Sequence, residues 1–427
     1  MPLLIIVTTI ILIISSILWF PTIKIKNVKF SSYWPIALFG ALLLLITNSV
    51  SIETVINTFT SNDSMNPLKI LVLFISMTIL SIFLDEVGFF KYIANKAAKI
   101  LNGSQVKLFL GFYILISVLT IFTSNDIIIL TFTPFICYYA KNSKINPIPY
   151  LISEFVAANT WSMALIIGNP TNIYLASAFE IGFLEYLSVM ILPTLAASLV
   201  SLGILYLIFN KQLKSPIEQT EATEEIKINT ILLIIGLFHL ITTTVLIAIS
   251  SYINIEMWIV TLCFAISLTI TSSIYFLIKK EKATILINTI KRAPYTLIPF
   301  VLSMFILVLA LNNEGITTII SDFFNNIDTI FSFGLGGAIT ANLINNIPMS
   351  VFFANITMTN TASVYASIIA SNIAAFITPV GALAGIMWMS LLKTYEVDFS
   401  FKRFVGYGIV IGIPTLLIAL LTLSLII

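Results

Sequence analysis

Apolar runs of about 20 residues recur along the chain between short polar loops, the spacing of helices that cross a bilayer. Ten such spans are predicted at roughly 3–20, 32–51, 68–86, 148–177, 186–210, 229–250, 256–278, 293–311, 362–391 and 404–426. Two further apolar stretches, 107–140 and 330–356, differ from these. Each is a pair of short arms broken in the middle, at Ser124-Asn125-Asp126 in the first and Asn345-Asn346 in the second. Arms of about 15–17 residues are at or below the length of a full crossing. Both stretches are therefore predicted to be helical hairpins that enter the membrane and turn back. Two of the spans are themselves interrupted, by Gly168-Asn169-Pro170-Thr171-Asn172 and by Thr378-Pro379-Val380-Gly381. The predicted fold class is an all-α polytopic membrane protein with about ten transmembrane helices plus two re-entrant hairpins.

Composition agrees. The chain is 59% hydrophobic and 9% charged, against about 25% charged in soluble domains. The first run lacks a basic leader and a small-x-small cleavage site, so it reads as a retained helix. Charge then sets orientation. Six alternate loops carry 20 of the 21 basic residues, with Lys69 the exception. They begin with Lys24, Lys26 and Lys29, and include Lys141/Lys144, Lys211/Lys214/Lys227 and the loop 279–292. The positive-inside rule places these loops in the cytoplasm and both termini outside, in a cell (plasma or inner) membrane. The net charge of +2 adds nothing further.

The two halves of the chain resemble each other. FISMTILSIFLDEVGF (74–89) parallels FVLSMFILVLALNNEGI (300–316); after each comes an amphipathic segment, a broken hairpin, an interrupted helix and a closing helix. This predicts a first repeat over 1–212, a cytoplasmic linker over 213–228 and a second repeat over 229–427. Five spans per half is an odd number, so the second repeat is inverted. Inverted repeats with broken helices characterise secondary transporters whose site lies near the midplane; channels and membrane enzymes are the other duplicated classes.

Backbone groups freed at mid-membrane are tolerated only where they line a cavity or bind something. The candidate substrate and ion site is thus Ser124, Asn125, Asp126, Gly168, Asn169, Thr171, Asn172, Asn345, Asn346, Thr378 and Gly381. Helix N-terminal ends there favour anions or hydroxyl oxygens, and free carbonyls favour cations. A Na⁺ site is placed at Ser124, Asn125 and Gly168. For each Asn the competing role is capping of a short helix. Asp126 is an intramembrane acid, which marks an ion or proton path by default. The second tip, LINNIPMS, is read with Asn346 where the first has Asp126. Glu154 and Asn159 are further coupling candidates; Glu154 is expected to sit at the cytoplasmic interface beside Lys141 or Lys144. Asp85 and Glu86 are expected to pair with nearby lysines. His239, Cys137 and Cys263 are read as packing residues. No cofactor, nucleophile, metal-ligand set, nucleotide loop or nucleic-acid partner is indicated, so an enzyme is disfavoured.

LDEVGFFKYIANKAAKILNGS (84–104), SNDIIILTFTPF, NTWSMALIIGNPTNIYLASAFEIGFLEYLSVM (159–190), NNIPM (345–349) and ITPVGALAGIMWMSLL (377–392) resemble the arsenite efflux permeases of the ion transporter superfamily. That superfamily also contains sodium-coupled dicarboxylate and citrate carriers and sodium/proton antiporters. The resemblance implies a scaffold, candidate for homodimer contacts, and a transport unit that moves as a rigid body. It implies that Asn125, Asp126, Asn169, Asn172, Asn345, Asn346 and Gly381 hold substrate and coupling ion. A cytoplasmic ATPase subunit, docking on the basic loop 279–292, is a weaker implication. The permeases carry an acidic residue before Thr in the first broken helix, where this chain has Asn159-Thr160. Three functions stay open: arsenite or antimonite efflux coupled to protons, which is favoured; sodium-coupled uptake of a dicarboxylate or other anion; and sodium/proton antiport.

Overall fold

The spans start and stop where local chemistry dictates. Asn66 Oδ1 accepts from Leu68 N at 2.8 Å and Pro67 takes the first helical position, so α-helix 67–87 begins there. The helix ends at Gly88, whose φ of +91° suits a residue without Cβ. The structure, a computed structural model, describes residues 1–19, 22–25, 28–62, 66–101, 103–216, 228–325, 328–356 and 361–427. Lys26, Lys227 and all but the ends of the linker 213–228 lie outside the described residues.

Among the described residues the first half comprises α1 (Pro2–Trp19), α2 (Tyr33–Ile46), α3 (Ile52–Thr60), α4 (Pro67–Val87), α5 (Phe89–Ile100), α6 (Gln105–Ile121), α7 (Asn125–Asn142), α8 (Ile148–Trp161), α9 (Pro170–Ala178) and α10 (Phe183–Leu213). The second comprises α11 (Thr230–Ile249), α12 (Met257–Lys279), α13 (Thr284–Arg292), α14 (Leu297–Asn313), α15 (Ile316–Asn325), α16 (Thr329–Ile344), α17 (Asn346–Ala354), α18 (Thr361–Ile373), α19 (Leu383–Thr394) and α20 (Phe401–Ile426). The succession of spans, short amphipathic helices, paired arms and broken helix is the same in both. One element was not foreseen. The loop after α1 contains a two-stranded antiparallel ribbon, β1 (Thr22–Ile25) and β2 (Val28–Ser31).

Among the described residues six helical segments are long and apolar enough to cross a membrane singly, by length and composition. The ten expected spans exceed this because several are built from pieces. The predicted 148–177 and 362–391 are each two helices joined by a 3₁₀ turn, and α2 has only 14 residues. At about 1.5 Å per residue, α2 alone falls short of the roughly 30 Å hydrocarbon layer.

The helices pack in groups that cut across the chain halves. α1, α2 and α14 form one three-helix group and α4, α11 and α12 another; the two touch where α14 meets α4, and together they are the six-helix body. The other body contains α6–α10 and α16–α20, with α10 lying along α20 and α16 along α18, and α17 packs on α14. Polar contacts join the loops within each face. On the face that carries most lysines, Gln105 Nε2 donates to Ser215 O and Asn146 Nδ2 to Gln212 Oε1. On the other, Asn313 Nδ2 donates to Ser49 O, and Lys69 pairs with Glu256 at 2.7 Å. That ammonium holds the Glu256 carboxyl below the usual carboxylate range.

Candidate functional site

Both hairpin tips are capped turns tied to the nearest broken helix. In the first, Ser124 Oγ accepts from Asp126 N at 3.3 Å and starts α7. Asn125 Nδ2 donates to Asn159 Oδ1 of α8 at 2.9 Å, and Asn159 Nδ2 to Phe155 O. In the second, Asn345 Oδ1 accepts from Ile347 N and starts α17. Its Nδ2 donates to Val380 O at 2.9 Å, while Asn346 N donates to Gly381 O and Asn346 Nδ2 to Ser371 O. Asn345 has φ +79° and ψ 152°, a backbone region that favours glycine. These bonds hold it there, as is common at functional turns. Because Ser124 and Asn345 are the two caps, Asn346 corresponds to Asn125, and Ile347 to Asp126. The sequence reading was off by one residue here, since matching polar letters does not fix helix phase.

The two broken helices meet at Asn372 of α18, which sequence reasoning missed. Its Oδ1 accepts from Ser162 Oγ at 2.7 Å and from Asn169 Nδ2 at 3.0 Å. Its Nδ2 donates to Asn172 Oδ1 at 2.7 Å and to Ile368 O at 2.8 Å. Thr171 and Ser371 hydroxyls are 3.0 Å apart beside it. Asn172 Nδ2 is likewise spent, on Ser162 O and Leu165 O. Thus tips and breaks form one hydrogen-bonded layer, in which the side chains of Asn169, Asn172, Asn345 and Asn346 each bond at least one backbone group.

What remains free in that layer is a set of oxygens. Asn125 Oδ1 and Thr160 Oγ1 in the first half, and Asn342 Oδ1 and Thr378 Oγ1 in the second, are buried without a partner among the described residues. A buried polar atom left unpaired costs about 1–3 kcal/mol, so two amide oxygens that accept and two hydroxyls that accept or donate near the helix breaks point to a polar ligand. The N-termini of α7, α9, α17 and α19 begin in the same layer and supply N–H groups with partial positive charge. Of the residues assigned to a Na⁺ site, Ser124 Oγ caps α7, Gly168 packs on Ser162 O, and Asn125 Oδ1 is an unpartnered side-chain oxygen among the described residues.

A cavity of about 1100 Å³ leads to this layer from the lysine-bearing face. Asp126, Pro379 and Val380 line it at depth, and Lys393, Glu396 and Asp398 near its mouth. No described residue donates a hydrogen bond to the Asp126 carboxylate. On the opposite face a pocket of about 400 Å³ lies among Lys69, Glu180, Glu256 and Trp258. Inward of it a seam is shut: Ile70 and Phe74 of α4 and Val301 of α14 meet Tyr174 of α9 and Ile347 and Val351 of α17, leaving about 30 Å³ between them.

A family model described as citrate transporter (CitMHS) matches residues 10–366. The chain belongs to this citrate transporter family. It is similar to an arsenical pump membrane protein of Yersinia enterocolitica, 27% identical over 82% of this chain and 85% of that one. An arsenical pump membrane protein of Escherichia coli K12 is 28% identical over the same shares. The fold is that of the YdaH transporter of Alcanivorax borkumensis, with a TM-score of 0.57 at 13% identity, covering 100% of this chain and 97% of that one. The protein is therefore an integral membrane transporter, as the arsenite-permease resemblance implied.

In this citrate transporter family member the two break glycines are packing devices. A Cβ on Gly168 would lie 2.2 Å from Ser162 O, and one on Gly381 2.3 Å from Ala374 O. Both neighbours are backbone and cannot swing aside. Gly168→Ala and Gly381→Ala are each expected to cost about 1–3 kcal/mol and to displace the breaks. Transport measured in membranes should fall while the chain still inserts.

Glu154 is not at the interface. It is 0% exposed, between α7 and α19, with its carboxyl oxygens 2.9 and 3.0 Å from Thr133 Oγ1 of α7. The expected pairing with Lys141 or Lys144 does not form, because α8 runs inward from Pro147 and buries its first turns. An unpaired buried charge is costly, so Glu154→Gln, which keeps shape and acceptor, should change thermal stability by less than about 1 kcal/mol. Glu154→Ala leaves a void and an unpaired Thr133, and should cost roughly 2–5 kcal/mol. Asp85 and Glu86 also depart from expectation. Their partner is Arg292, brought from the second half by α13.

Proposed function

We propose that this chain is a secondary transporter that exports arsenite or antimonite in exchange for protons. Arsenite is an uncharged acid at neutral pH. Its hydroxyls donate and its oxygens accept. That matches a layer with two unpartnered amide oxygens and two unpartnered hydroxyls close in the chain to helix N-termini, which is the observation that carries the reading. Asp126 is the acid on the cavity wall at depth and is proposed to carry the exchanged proton. Lys393, at the mouth, is the one cation among the described lining residues, so a multiply charged anion finds no fixed counter-charge beside the layer. The names of the two bacterial relatives support the same substrate. Positive-inside reasoning makes the lysine face cytoplasmic, the cavity cytoplasm-open, and both termini external. The two bodies would then exchange access by moving against each other, with the inverted repeats supplying two equivalent arrangements.

The test is growth of arsenite-hypersensitive cells that lack their own exporter. Expression should raise resistance to arsenite and antimonite. Equal sensitivity with and without well-expressed protein would remove this reading. A second reading, sodium-coupled uptake of a citrate-like carboxylate, draws on the family description and on the converging N-termini. It requires that uptake of labelled citrate rise with external sodium.

A further inference from the structure

A polar cluster that contains full charges joins an arm of the candidate site to α4 of the six-helix body. Asp85 and Glu86 end α4 at the lysine face. Arg292, the last residue of α13, donates through Nη2 to Asp85 Oδ2 at 2.7 Å and through Nη1 to Glu86 Oε1. Asn288, one turn earlier, donates through Nδ2 to Glu86 Oε2 at 3.0 Å. These four residues fix α13 to α4. The fifth member comes from the other body. Thr131 of α7 donates through Oγ1 to Asp85 Oδ1 at 2.6 Å. Thr131 follows Leu130, and both Leu130 and Asp126 line the cavity. The arm that bears the first tip is thus held by a hydroxyl-to-carboxylate bond.

The chemistry suits a contact that must be made and released. A threonine hydroxyl has one hydrogen. Ile127 O of its own helix lies 2.9 Å from Thr131 Oγ1, so a second acceptor travels with the arm. On release the hydroxyl turns to that carbonyl, and Asp85 keeps Arg292, so no group is stranded. The bond to a carboxylate is the stronger of the two, which favours the docked arrangement. Its short length also ties it to one position of α7. A slide of the arm by an ångström or two along α4 breaks it, while the Arg292 contacts stay whole.

We propose that Thr131 and Asp85 are positioning residues for transport: a latch that holds α7 against the six-helix body in the state open to the lysine face. This rests on the two-body motion proposed above. The latch biases the resting population toward the open cavity, so its loss shifts the balance to the state in which the apolar seam of α4, α9, α14 and α17 parts.

Two thiol reporters read this in a chain freed of Cys137 and Cys263. Leu383→Cys lies on the cavity wall, and Val351→Cys in the shut seam. Each is reacted with an impermeant maleimide in membrane vesicles of known orientation. Thr131→Val, which keeps shape and loses the hydroxyl, should slow modification of Leu383→Cys and speed that of Val351→Cys, changing the ratio of rates about tenfold. Thr131→Ser should restore the wild-type ratio, and Thr131→Ala should repeat the valine result if valine folds poorly. General loosening would speed both reporters, and that outcome overturns the latch. So does a ratio unchanged in Thr131→Val while both reporters react in wild type. A Val351→Cys that reacts in no variant overturns the two-body motion and the latch with it.

Discussion

Asp126→Asn is expected to lower proton-driven export by at least about tenfold, the effect of losing 1.4 kcal/mol or more of coupling, while leaving the protein folded. Asparagine starts a helix about as well as aspartate, and Ser124, not Asp126, supplies the cap of α7. The substitution therefore separates the two roles that an acid at this position can have. Were Asp126 only a helix-terminal residue, the variant would lose no more than about 0.3–1 kcal/mol of dipole interaction and would transport normally. If it carries the proton, uphill export disappears and exchange of substrate between equal pH values persists. Flux assays in vesicles with and without an imposed pH gradient make the distinction.

The second large effect is expected at Asn372. Asn372→Leu has similar size but strands Asn169 Nδ2 and Asn172 Oδ1, each of which has Asn372 as its side-chain partner. Ser162 keeps an acceptor in Asn159 O. Two buried groups at about 1–3 kcal/mol each give a loss of roughly 2–6 kcal/mol, a large share of the 5–15 kcal/mol typical of a folded domain. Thermal unfolding in detergent should show it, and transport should fail because both broken helices lose their common anchor. A stability within about 1 kcal/mol of wild type would mean that the layer does not depend on this residue.

Asn372 also shows what could not be read from the chain. The breaks at 168–172 and 378–381 were legible because Gly, Pro and Asn are anomalous inside long apolar runs, and the cost of free backbone in a membrane gives the anomaly a meaning. Asn372 sits in SIIASNIAAF, one residue before α18 gives way to a 3₁₀ turn, and no Gly or Pro in that stretch marks the position. Its importance comes from partners at Ser162, Asn169 and Asn172, about two hundred residues away in sequence. Asn342 and Thr160 were hidden for the same reason. They lie beside the motifs, and only packing shows that their oxygens are unpartnered. Glu154 was misread because lysines ten and thirteen residues earlier look like neighbours, whereas the helix carries it inward. Arg292 could not be assigned to Asp85 and Glu86 without knowing that α13 folds back on α4. Local anomalies thus survive in the sequence, and pairings between the halves do not.

The most direct measurement is uptake of antimonite into inverted vesicles containing the purified protein, driven by an imposed pH gradient, acid inside, in sodium-free buffer. Proton-coupled export predicts accumulation that collapses when the gradient is dissipated and is absent in Asp126→Asn. Accumulation that ignores the pH gradient, or none until sodium is added, would contradict it.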